Sequence, residues 1–354
     1  MNRTYLDYNA TAPLRPEARE AMIAAMEVVG NPSSVHAEGR AAKALVEKAR
    51  AQVAEAVGCK PVEVVFTSGA TEAAGVLGDV ATGASVVVEP TAHDALWAHH
   101  APRAGERAAI YAMGLANSET GVISTPPKRG GEGFEVGELR ADRLLLDVTQ
   151  AVGRLPWSFA WSGADFALLS AHKLGGPKGV GALIVKDGTD IPALSKGGGQ
   201  EMGRRSGTEN IIGIAGFGAA AAAAQADLEQ GRWDEVAELR NILESAIEAA
   251  ANKTILVGNR AERLPNTTCA ITPGWKGETQ VMTMDLAGFS VSSGSACSSG
   301  KVKASRVLQA MGFGPDEAQS AIRVSLGPRT TEAEVRRFAD VWLEKQTRHA
   351  ARAA

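Results

Sequence analysis

The chain has 354 residues, of which 45% are hydrophobic and 22% charged, a composition that fits a globular protein with up to two domains. Its net charge of −3 at pH 7 gives no reason to expect nucleic acid or an anionic membrane as a partner. We expect no segment that spans a bilayer, and the N-terminus lacks the apolar region of a signal peptide. The three cysteines form no CxxC spacing, which excludes a disulfide framework or zinc pattern and favours a reducing cytoplasm.

The first half of the chain predicts an α/β fold. Amphipathic helices are predicted over residues 15–29 and 37–57, which end at Gly30 and Gly58. Apolar runs typical of buried strands follow at residues 63–67, 84–89, 108–113, 143–147, 166–170 and 182–185. Strands of this kind, separated by helices or loops, predict a mostly parallel sheet that is covered on both faces and binds ligands at its strand carboxyl ends.

The pattern changes near residue 230 and indicates a smaller α+β domain after it. An alanine-rich helix over 213–229 and a helix over 233–250 are followed by a third over 278–286, and the capping box Thr331-x-x-Glu334 starts the last helix. Short strands are predicted near residues 254–257, 267–271, 289–291 and 321–326. The segment 124–139, rich in proline and glycine, is interpreted as a flexible surface loop.

Lys173 is the first candidate for catalysis. It lies in the segment Ser170-Ala171-His172-Lys173, directly after the apolar run 166–169, and glycines follow it. A lysine at a strand end in such surroundings can form a Schiff base with pyridoxal phosphate (PLP). That reaction would make the chain an enzyme.

Two other strand ends carry groups that suit this cofactor. The turn 66–72 runs from a strand into a helix, where free amides and the Thr71 hydroxyl suit a phosphate; the alternative is an ordinary capped turn. Asp147 ends a buried strand, where a carboxylate is costly unless it is paired. A protonated pyridine nitrogen would satisfy it, and a structural salt bridge or helix cap is the alternative.

Three more side chains are candidates on their local chemistry. His93 could stack on an aromatic cofactor ring, although a lone histidine in a loop is usually an ordinary surface residue. Arg323 interrupts an apolar strand and needs an anionic partner, either a substrate carboxylate or an internal Asp or Glu. Cys297 lies in a polar Gly/Ser-rich loop with little to pack, so it is a candidate nucleophile, whereas Cys59 and Cys269 are expected to be structural.

Taken together, these segments resemble the cysteine desulfurases of the NifS/IscS-like group, within the fold-type I, class V aminotransferase family. The resemblance covers residues 5 to about 327, and its most specific motif is Ser293-Gly-Ser-Ala-Cys297, which resembles the persulfide-forming loop of that group. The other matching segments are 31–36, the turn ending at Thr71, 117–121, 147–150, 170–173, 197–201 and 205–208. Two departures are Ser118, where the family usually has asparagine, and Ala92, where it usually has glutamate.

The resemblance implies a large PLP-binding domain at residues 12–229 with a mostly parallel seven-stranded sheet. It implies a smaller α+β domain, formed by residues 1–11 and 230–354, that carries the cysteine loop. A homodimer is also implied, and no metal.

The resemblance further implies roles for individual residues. Lys173 holds PLP, His93 stacks on its ring and acts in catalysis, and Cys297 accepts the sulfur. Asp147 pairs with the ring nitrogen, and Gln150 contacts the ring hydroxyl. The phosphate side is bound by Ala70, Thr71, Ser170, His172 and, from a second subunit, Thr208.

The implied reaction is the conversion of L-cysteine to L-alanine, with a persulfide on Cys297 that passes to an acceptor or scaffold protein for iron–sulfur cluster assembly or other sulfur transfer. Arg323 and Asn117 would bind the substrate, and Asn117 the cofactor as well. The alternatives are a selenocysteine lyase, another class V PLP lyase or transaminase, and a degenerate paralogue that binds a sulfur-transfer partner without catalysis.

Overall fold

The chain folds as two compact units. The computed structural model describes residues 3–80, 84–103, 105, 107–251, 253–294 and 304–353. The sheet unit comprises Ala12–Leu115 and Ser124–Leu228, and the terminal unit comprises Met1–Thr11, Ala116–Ile123 and Glu229–Ala354.

The secondary structure alternates between strands and helices through most of the chain. The strands are β1 (Thr4–Tyr5), β2 (Val64–Thr67), β3 (Val86–Val88), β4 (Arg107–Gly114), β5 (Arg129–Gly130), β6 (Gly133–Val136), β7 (Leu139–Asp147), β8 (Phe166–Ser170), β9 (Gly181–Val185), β10 (Ile255–Leu256), β11 (Thr267–Ile271), β12 (Phe289–Ser290), β13 (Ser292–Ser293) and β14 (Ala321–Ser325). The α-helices are α1 (Pro16–Met26), α2 (Ala37–Val57), α3 (Ala70–Ala74), α4 (Val76–Val80), α5 (Asp94–Trp97), α6 (Phe159–Ser162), α7 (Ile211–Glu229), α8 (Arg232–Ala250), α9 (Gly277–Leu286), α10 (Arg306–Ala310), α11 (Pro315–Gln319) and α12 (Glu332–Ala353).

The sheet unit is built on a sheet in the order β2-β9-β8-β7-β4-β3. Strands β8, β7, β4 and β3 are parallel neighbours, and β9 runs antiparallel to both β2 and β8. Every residue of β8 and β9 is buried, as their continuous apolar sequences predict for a sheet covered on both faces. The predicted α/β class is confirmed.

Helices cover both faces of this sheet. Val65 of β2 packs in a buried cluster with Leu77 of α4 and Leu96 of α5. The next residue, Phe66, points to the opposite face, because successive strand residues alternate. There it meets Phe217 of α7, with ring centroids 6.2 Å apart.

Helix α7 corrects the expectation that no stretch is long enough to cross a membrane. Among the described residues, it alone meets that criterion of length and composition, with a mean hydropathy of 1.5. Half of it is buried inside the protein, and Phe217 is fully buried. A Cβ on Gly218 would lie 2.6 Å from the Ala49 Cα, so glycine is needed where α7 packs on α2. This close packing is typical of a core helix.

The segment expected to be a surface loop, residues 124–139, contains a β-hairpin instead. Strands β5 and β6 pair with each other, and β6 adds antiparallel to β7. The hairpin forms because Phe134 is buried and the Arg129 guanidinium covers its ring at 4.4 Å while pairing with Asp165. It brings this sheet to eight strands in the described chain, where the resemblance implies seven.

The terminal unit contains an antiparallel sheet in the order β10-β11-β14-β13 and a parallel pair, β1 and β12. The segment Ala116–Ile123 belongs to this unit, although the predicted boundary places it in the large domain. The reason is backbone pairing: the Leu264 amide donates to the Gly121 carbonyl at 2.8 Å, and the Ile123 amide donates to the Glu262 carbonyl at 2.9 Å.

The last helix begins as its sequence predicts. The Thr331 amide donates to the Glu334 carboxylate at 2.9 Å, and the Glu334 amide donates back to the Thr331 hydroxyl at 3.4 Å. The predicted capping box before α12 is therefore confirmed.

Candidate active site

The carboxyl ends of neighbouring strands lie along one edge of the sheet in the sheet unit. Ser170 at the end of β8 pairs with Gly181 of β9, and Gly181 pairs with Thr67 at the end of β2. Asp147 at the end of β7 pairs with Gly114 at the end of β4. Because the residues that follow such strand ends form the ligand sites of α/β sheets, this edge is the candidate site.

The turn that carries Lys173 has an unusually well bonded backbone. The four consecutive carbonyls of residues 172–175 all accept hydrogen bonds. Their donors, in order, are the Ala12 amide at 2.9 Å, the Arg154 guanidinium at 2.9 Å, the Arg15 Nε at 2.8 Å and the Arg15 amide at 2.9 Å. A backbone bonded at each of these carbonyls has little freedom, so the position of the Lys173 Cα is well defined.

A close backbone approach brings the predicted phosphate turn against the end of β8. A Cβ on Gly181 would lie 2.7 Å from the Gly69 Cα, so only glycine fits there. A Cβ on Gly69 would in turn lie 3.9 Å from the Ser170 Oγ. The amides of Ala70 and Thr71 form the first turn of α3, where N–H groups have no partner within the helix.

The protonation state of His172 suits an anion-binding role as a neutral donor. Burial, with the nearby charges of Lys173 and Lys178, lowers the pKa of the imidazole to about 4. The ring is therefore neutral at physiological pH and carries one N–H donor.

Asp147 lies half-buried at the end of β7. One of its carboxylate oxygens accepts the Thr149 amide at 2.9 Å. No basic side chain forms an ion pair with this carboxylate in the part of the chain that the structure describes. The carboxylate thus has the charge and location that pairing with a protonated ring nitrogen requires, and that role stays a prediction.

Gln150 is buried, and its amide oxygen accepts a hydrogen bond from Arg154, which is buried as well. Arg154 did not emerge from the sequence as a site residue. The signal that could have found it is its spacing: it lies four residues after Gln150, which places both side chains on one face of a helical turn.

His93 caps the short helix α5. Its Nδ1 accepts the Ala95 amide at 3.1 Å, so Nε2 carries the proton of the neutral ring. The ring orientation is thereby set, while stacking on a cofactor stays a prediction.

Glu72 links the phosphate turn to the segment that contains Thr208. Its carboxylate accepts the Ser68 amide at 2.5 Å and pairs with Arg205 at 2.9 Å. Burial alone would raise the pKa of Glu72, but these hydrogen bonds outweigh it and lower the pKa. Thr208 is exposed and lines a cavity of about 120 Å³ together with Ser68 and Arg205 of its own chain.

In the terminal unit, Arg323 has an internal anionic partner. Its Nη2 donates to Asp7 at 2.8 Å and its Nη1 to the Ser118 carbonyl at 3.0 Å, and the residue is only 3% exposed. The Nε is buried without a hydrogen-bond partner among the described residues. Arg323 therefore shows the internal pairing that its sequence context allows, and its substrate role stays a prediction.

Asn117 uses its side-chain oxygen to shape its own loop. The Oδ1 accepts the amides of Glu119 and Thr120, both at 2.9 Å. Glu119 accepts the Ser305 hydroxyl, which also caps α10. The amide oxygen of Asn117 is thus engaged in the turn, and the predicted contacts with substrate and cofactor stay predictions.

Of the three cysteines, the predicted nucleophile Cys297 lies outside the described residues. Burial raises the pKa of both the Cys59 and the Cys269 thiol to about 12. Neither forms a thiolate near neutral pH, in agreement with the structural role expected for both.

Comparison with known proteins identifies the family. The model described as aminotransferase class-V matches residues 4–111 and 82–338. The chain belongs to this family. It is similar to the cysteine desulfurase of Cereibacter sphaeroides, with 38% identity over 376 residues that cover 96% of this chain and 95% of the relative. The cysteine desulfurase of Frankia sp. (strain EuIK1) is 39% identical over 384 residues, covering 95% and 90%.

Solved structures agree with this class V membership. The structure described as a NifS-like protein from Rickettsia africae ESF-5 superimposes with a TM-score of 0.83 at 29% identity, covering 97% of this chain and 99% of that one. The expected resemblance and fold type are confirmed.

The cofactor prediction is confirmed as well, because class V cysteine desulfurases depend on PLP. The side chains and amides at the sheet edge fit this group chemically. Thr71, Ser170 and His172 offer donors to phosphate oxygens, which only accept. The carboxylate of Asp147 suits a protonated ring nitrogen, and Lys173 supplies the amine.

Proposed function

We propose that this class V enzyme is an L-cysteine desulfurase that releases L-alanine and forms a persulfide on Cys297. Near-full-length similarity to cysteine desulfurases of two bacteria supports the reaction. The single observation that carries it is the rigid Lys173 turn at the same sheet edge as Asp147. An amine, and a carboxylate with no ion-pair partner among the described residues, are what PLP chemistry on an amino acid needs at such an edge.

Each residue of the candidate site has a proposed role in the reaction. Bound PLP supplies an electron sink beside the substrate α-carbon. The Lys173 amine takes the α-proton, since it is the base attached to the turn at this edge. The Asp147 carboxylate would pair with the protonated ring nitrogen, while Thr71, Ser170 and the neutral His172 would hold the phosphate. Arg323 and Asn117 would orient the substrate.

Cys297 would carry the sulfur-transfer step. Its thiolate attacks the substrate sulfur, so a sulfur–sulfur bond forms as the carbon–sulfur bond breaks. The electron pair left by the carbon–sulfur bond takes up a proton at the β-carbon, Lys173 would return a proton to the α-carbon, and the product is L-alanine. The persulfide then passes its outer sulfur to an acceptor thiol, in iron–sulfur cluster assembly or another sulfur-transfer route.

The test compares Cys297→Ala with Cys59→Ala, a matched change at a partly buried thiol of raised pKa. Purified protein receives L-cysteine and a thiol reductant, and alanine and sulfide are measured. We expect Cys297→Ala to keep the cofactor's visible absorbance and lose at least 100-fold in sulfide release, a loss of about 2.7 kcal/mol or more in transition-state stabilisation. Cys59→Ala should behave as wild type. Undiminished sulfide from Cys297→Ala would contradict the proposal.

We further propose a cytoplasmic homodimer. An apolar patch supports the dimer. Ile23 and Met26 lie in α1, and Val29 and Val35 lie between α1 and α2; they are 48%, 57%, 93% and 88% exposed. Large apolar side chains exposed to this extent are typical of subunit interfaces. Thr208 is exposed in the single chain, which leaves it accessible to a second subunit's cofactor.

A further inference from the structure

Gln150 and Arg154 belong to a helical turn that follows β7. The Val152 amide donates to the Val148 carbonyl at 3.0 Å, and the Leu155 amide donates to the Ala151 carbonyl at 2.9 Å. This i to i+4 bonding places Gln150 and Arg154 on one face of the turn. Both residues are 4% exposed, so an alternative partner for either side chain would have to come from within the protein.

One guanidinium group bonds two elements of the site at once. The Arg154 Nη1 donates to the Gln150 Oε1 at 2.5 Å, and its Nη2 donates to the Lys173 carbonyl at 2.9 Å. Both acceptors are held by the planar fork of a side chain that stays charged at all accessible pH values.

This contact determines which end of the Gln150 amide faces Arg154. A guanidinium only donates, so it selects the amide oxygen. The amide nitrogen, a donor, is then presented in the other direction. Without such a partner, the Gln150 amide could turn its oxygen towards the PLP ring oxygen instead. Two hydrogen-bond acceptors would then face each other, which is unfavourable.

We propose that Arg154 is a positioning residue, which orients the Gln150 amide so that its nitrogen donates to the PLP ring oxygen and ties that orientation to the Lys173 backbone. The inference rests on the proposed role of Gln150 at the ring hydroxyl. Donation to the ring oxygen stabilises its anionic form, and this lowers the pH at which the proton shared between that oxygen and the lysine nitrogen is lost. Arg154 acts through Gln150 and Lys173.

The chain offers a matched control in Arg15. Its Nε donates to the carbonyl of Leu174, the residue after Lys173, at 2.8 Å, and its Nη2 pairs with Asp227 at 2.6 Å. Arg15 therefore supports the same turn as Arg154. No contact between Arg15 and Gln150 is seen among the described residues. A change that merely loosens the turn should give the same result at either arginine.

The experiment titrates the visible absorbance of the purified holoenzyme against pH. Arg154→Lys retains the charge but replaces the planar fork with a rotating ammonium, which does not hold the Gln150 oxygen and the Lys173 carbonyl in one fixed geometry. We expect its absorbance midpoint to rise by about one pH unit, the scale of losing one hydrogen bond to a charged oxygen. Arg15→Lys should keep the wild-type midpoint. Asp147, His172 and Lys178 are unchanged in both variants, so these groups contribute equally to the two absorbance midpoints.

A double-variant cycle separates orientation of the amide from a direct effect of the arginine. In a Gln150→Leu background there is no amide to orient, so Arg154→Lys should add no further shift. An unchanged midpoint in Arg154→Lys, an equal shift in Arg15→Lys, or additive shifts in the double variant would each overturn the proposal. Arg154→Gln, uncharged and still a donor, serves if Arg154→Lys lacks the wild-type circular dichroism spectrum.

The midpoint of the absorbance titration does not depend on whether the enzyme turns over L-cysteine. Alanine release from L-cysteine is measured on the same samples. Absent alanine with the expected midpoint shifts would count against the desulfurase proposal alone. Normal alanine release with no shift would count against the positioning role alone.

Discussion

His172 joins a predicted role in phosphate binding with a pH-dependent contribution to stability. Burial and two neighbouring lysines lower the pKa of its imidazole to about 4, from an ordinary 6.5. The native state therefore binds fewer protons than the unfolded state between these values. Stability from this residue is complete above pH 6.5 and is lost as the pH falls towards 4.

We expect His172→Gln to remove part of this acid sensitivity, because glutamine keeps a neutral donor and cannot protonate. The measurement is the free energy of unfolding of the cofactor-free protein in urea, at pH 7 and at pH 4.5. Wild type should lose about 1–2 kcal/mol more than the variant over this interval, after allowing for solvent screening of a partly exposed ring. Equal losses in both proteins would show that His172 is not the group responsible.

At the scale of elements, strand β9 and the turn into α3 meet at backbone distance. An ideal Cβ on Gly181 would lie 2.6 Å from the Leu169 carbonyl oxygen as well as 2.7 Å from the Gly69 Cα. Both obstacles are backbone atoms, which cannot move aside as a flexible side chain can. The contact therefore sets the distance between β9, β8 and the phosphate turn.

We expect Gly181→Ala to destabilise the protein by about 2–3 kcal/mol and to weaken PLP binding, because β9 and the turn must separate. Gly131→Ala is the control: its Cβ would meet nothing within 4 Å. Urea unfolding and titration of the cofactor-free protein with PLP give the two quantities. If Gly181→Ala bound PLP as tightly as Gly131→Ala, the contact would not shape the site.

The elements show what the sequence could predict and why the rest escaped. Helix α2 and strand β8 have the predicted bounds, because a long amphipathic period and an uninterrupted apolar run are local signals. The β5–β6 hairpin was missed, since Phe134 is the only buried residue of the short strand β6 and its partner, Arg129, lies across a glycine turn.

The site residues likewise divide into those that a local sequence signal indicates and those that depend on distant partners. Asp147 could be found because it ends a recognisable strand, and Lys173 because it lies in the turn that follows one. The role of Arg15 could not be assigned, since its Nε donates to a backbone carbonyl 159 residues distant, about which side-chain identity says nothing. For Arg154 the only signal was its spacing from Gln150, and its second acceptor, the Lys173 carbonyl, gave none. Glu72 and Arg205 escaped for a related reason: neither sequence context indicates a partner so distant along the chain.

At the scale of the whole molecule, the patch of Ile23, Met26, Val29 and Val35 predicts the assembly. We expect Met26→Glu/Val29→Glu to convert a dimer into a monomer of 36.7 kDa, because an unpaired charge is costly inside an interface. Light scattering after size exclusion measures the mass. Trp161→Glu, at an 89% exposed site outside the patch, should remain dimeric. A wild-type monomer, or a dimeric patch variant, would contradict the prediction.

The hydrogen-bonded carbonyls of residues 172–175 have a kinetic consequence. With the backbone secured on both sides of Lys173, its amine can change position only by rotation about side-chain bonds. Such rotations take picoseconds to nanoseconds, whereas loop rearrangements extend to microseconds. In its proposed role as the base, Lys173 would therefore move protons at successive steps without a main-chain rearrangement in the turn 172–175.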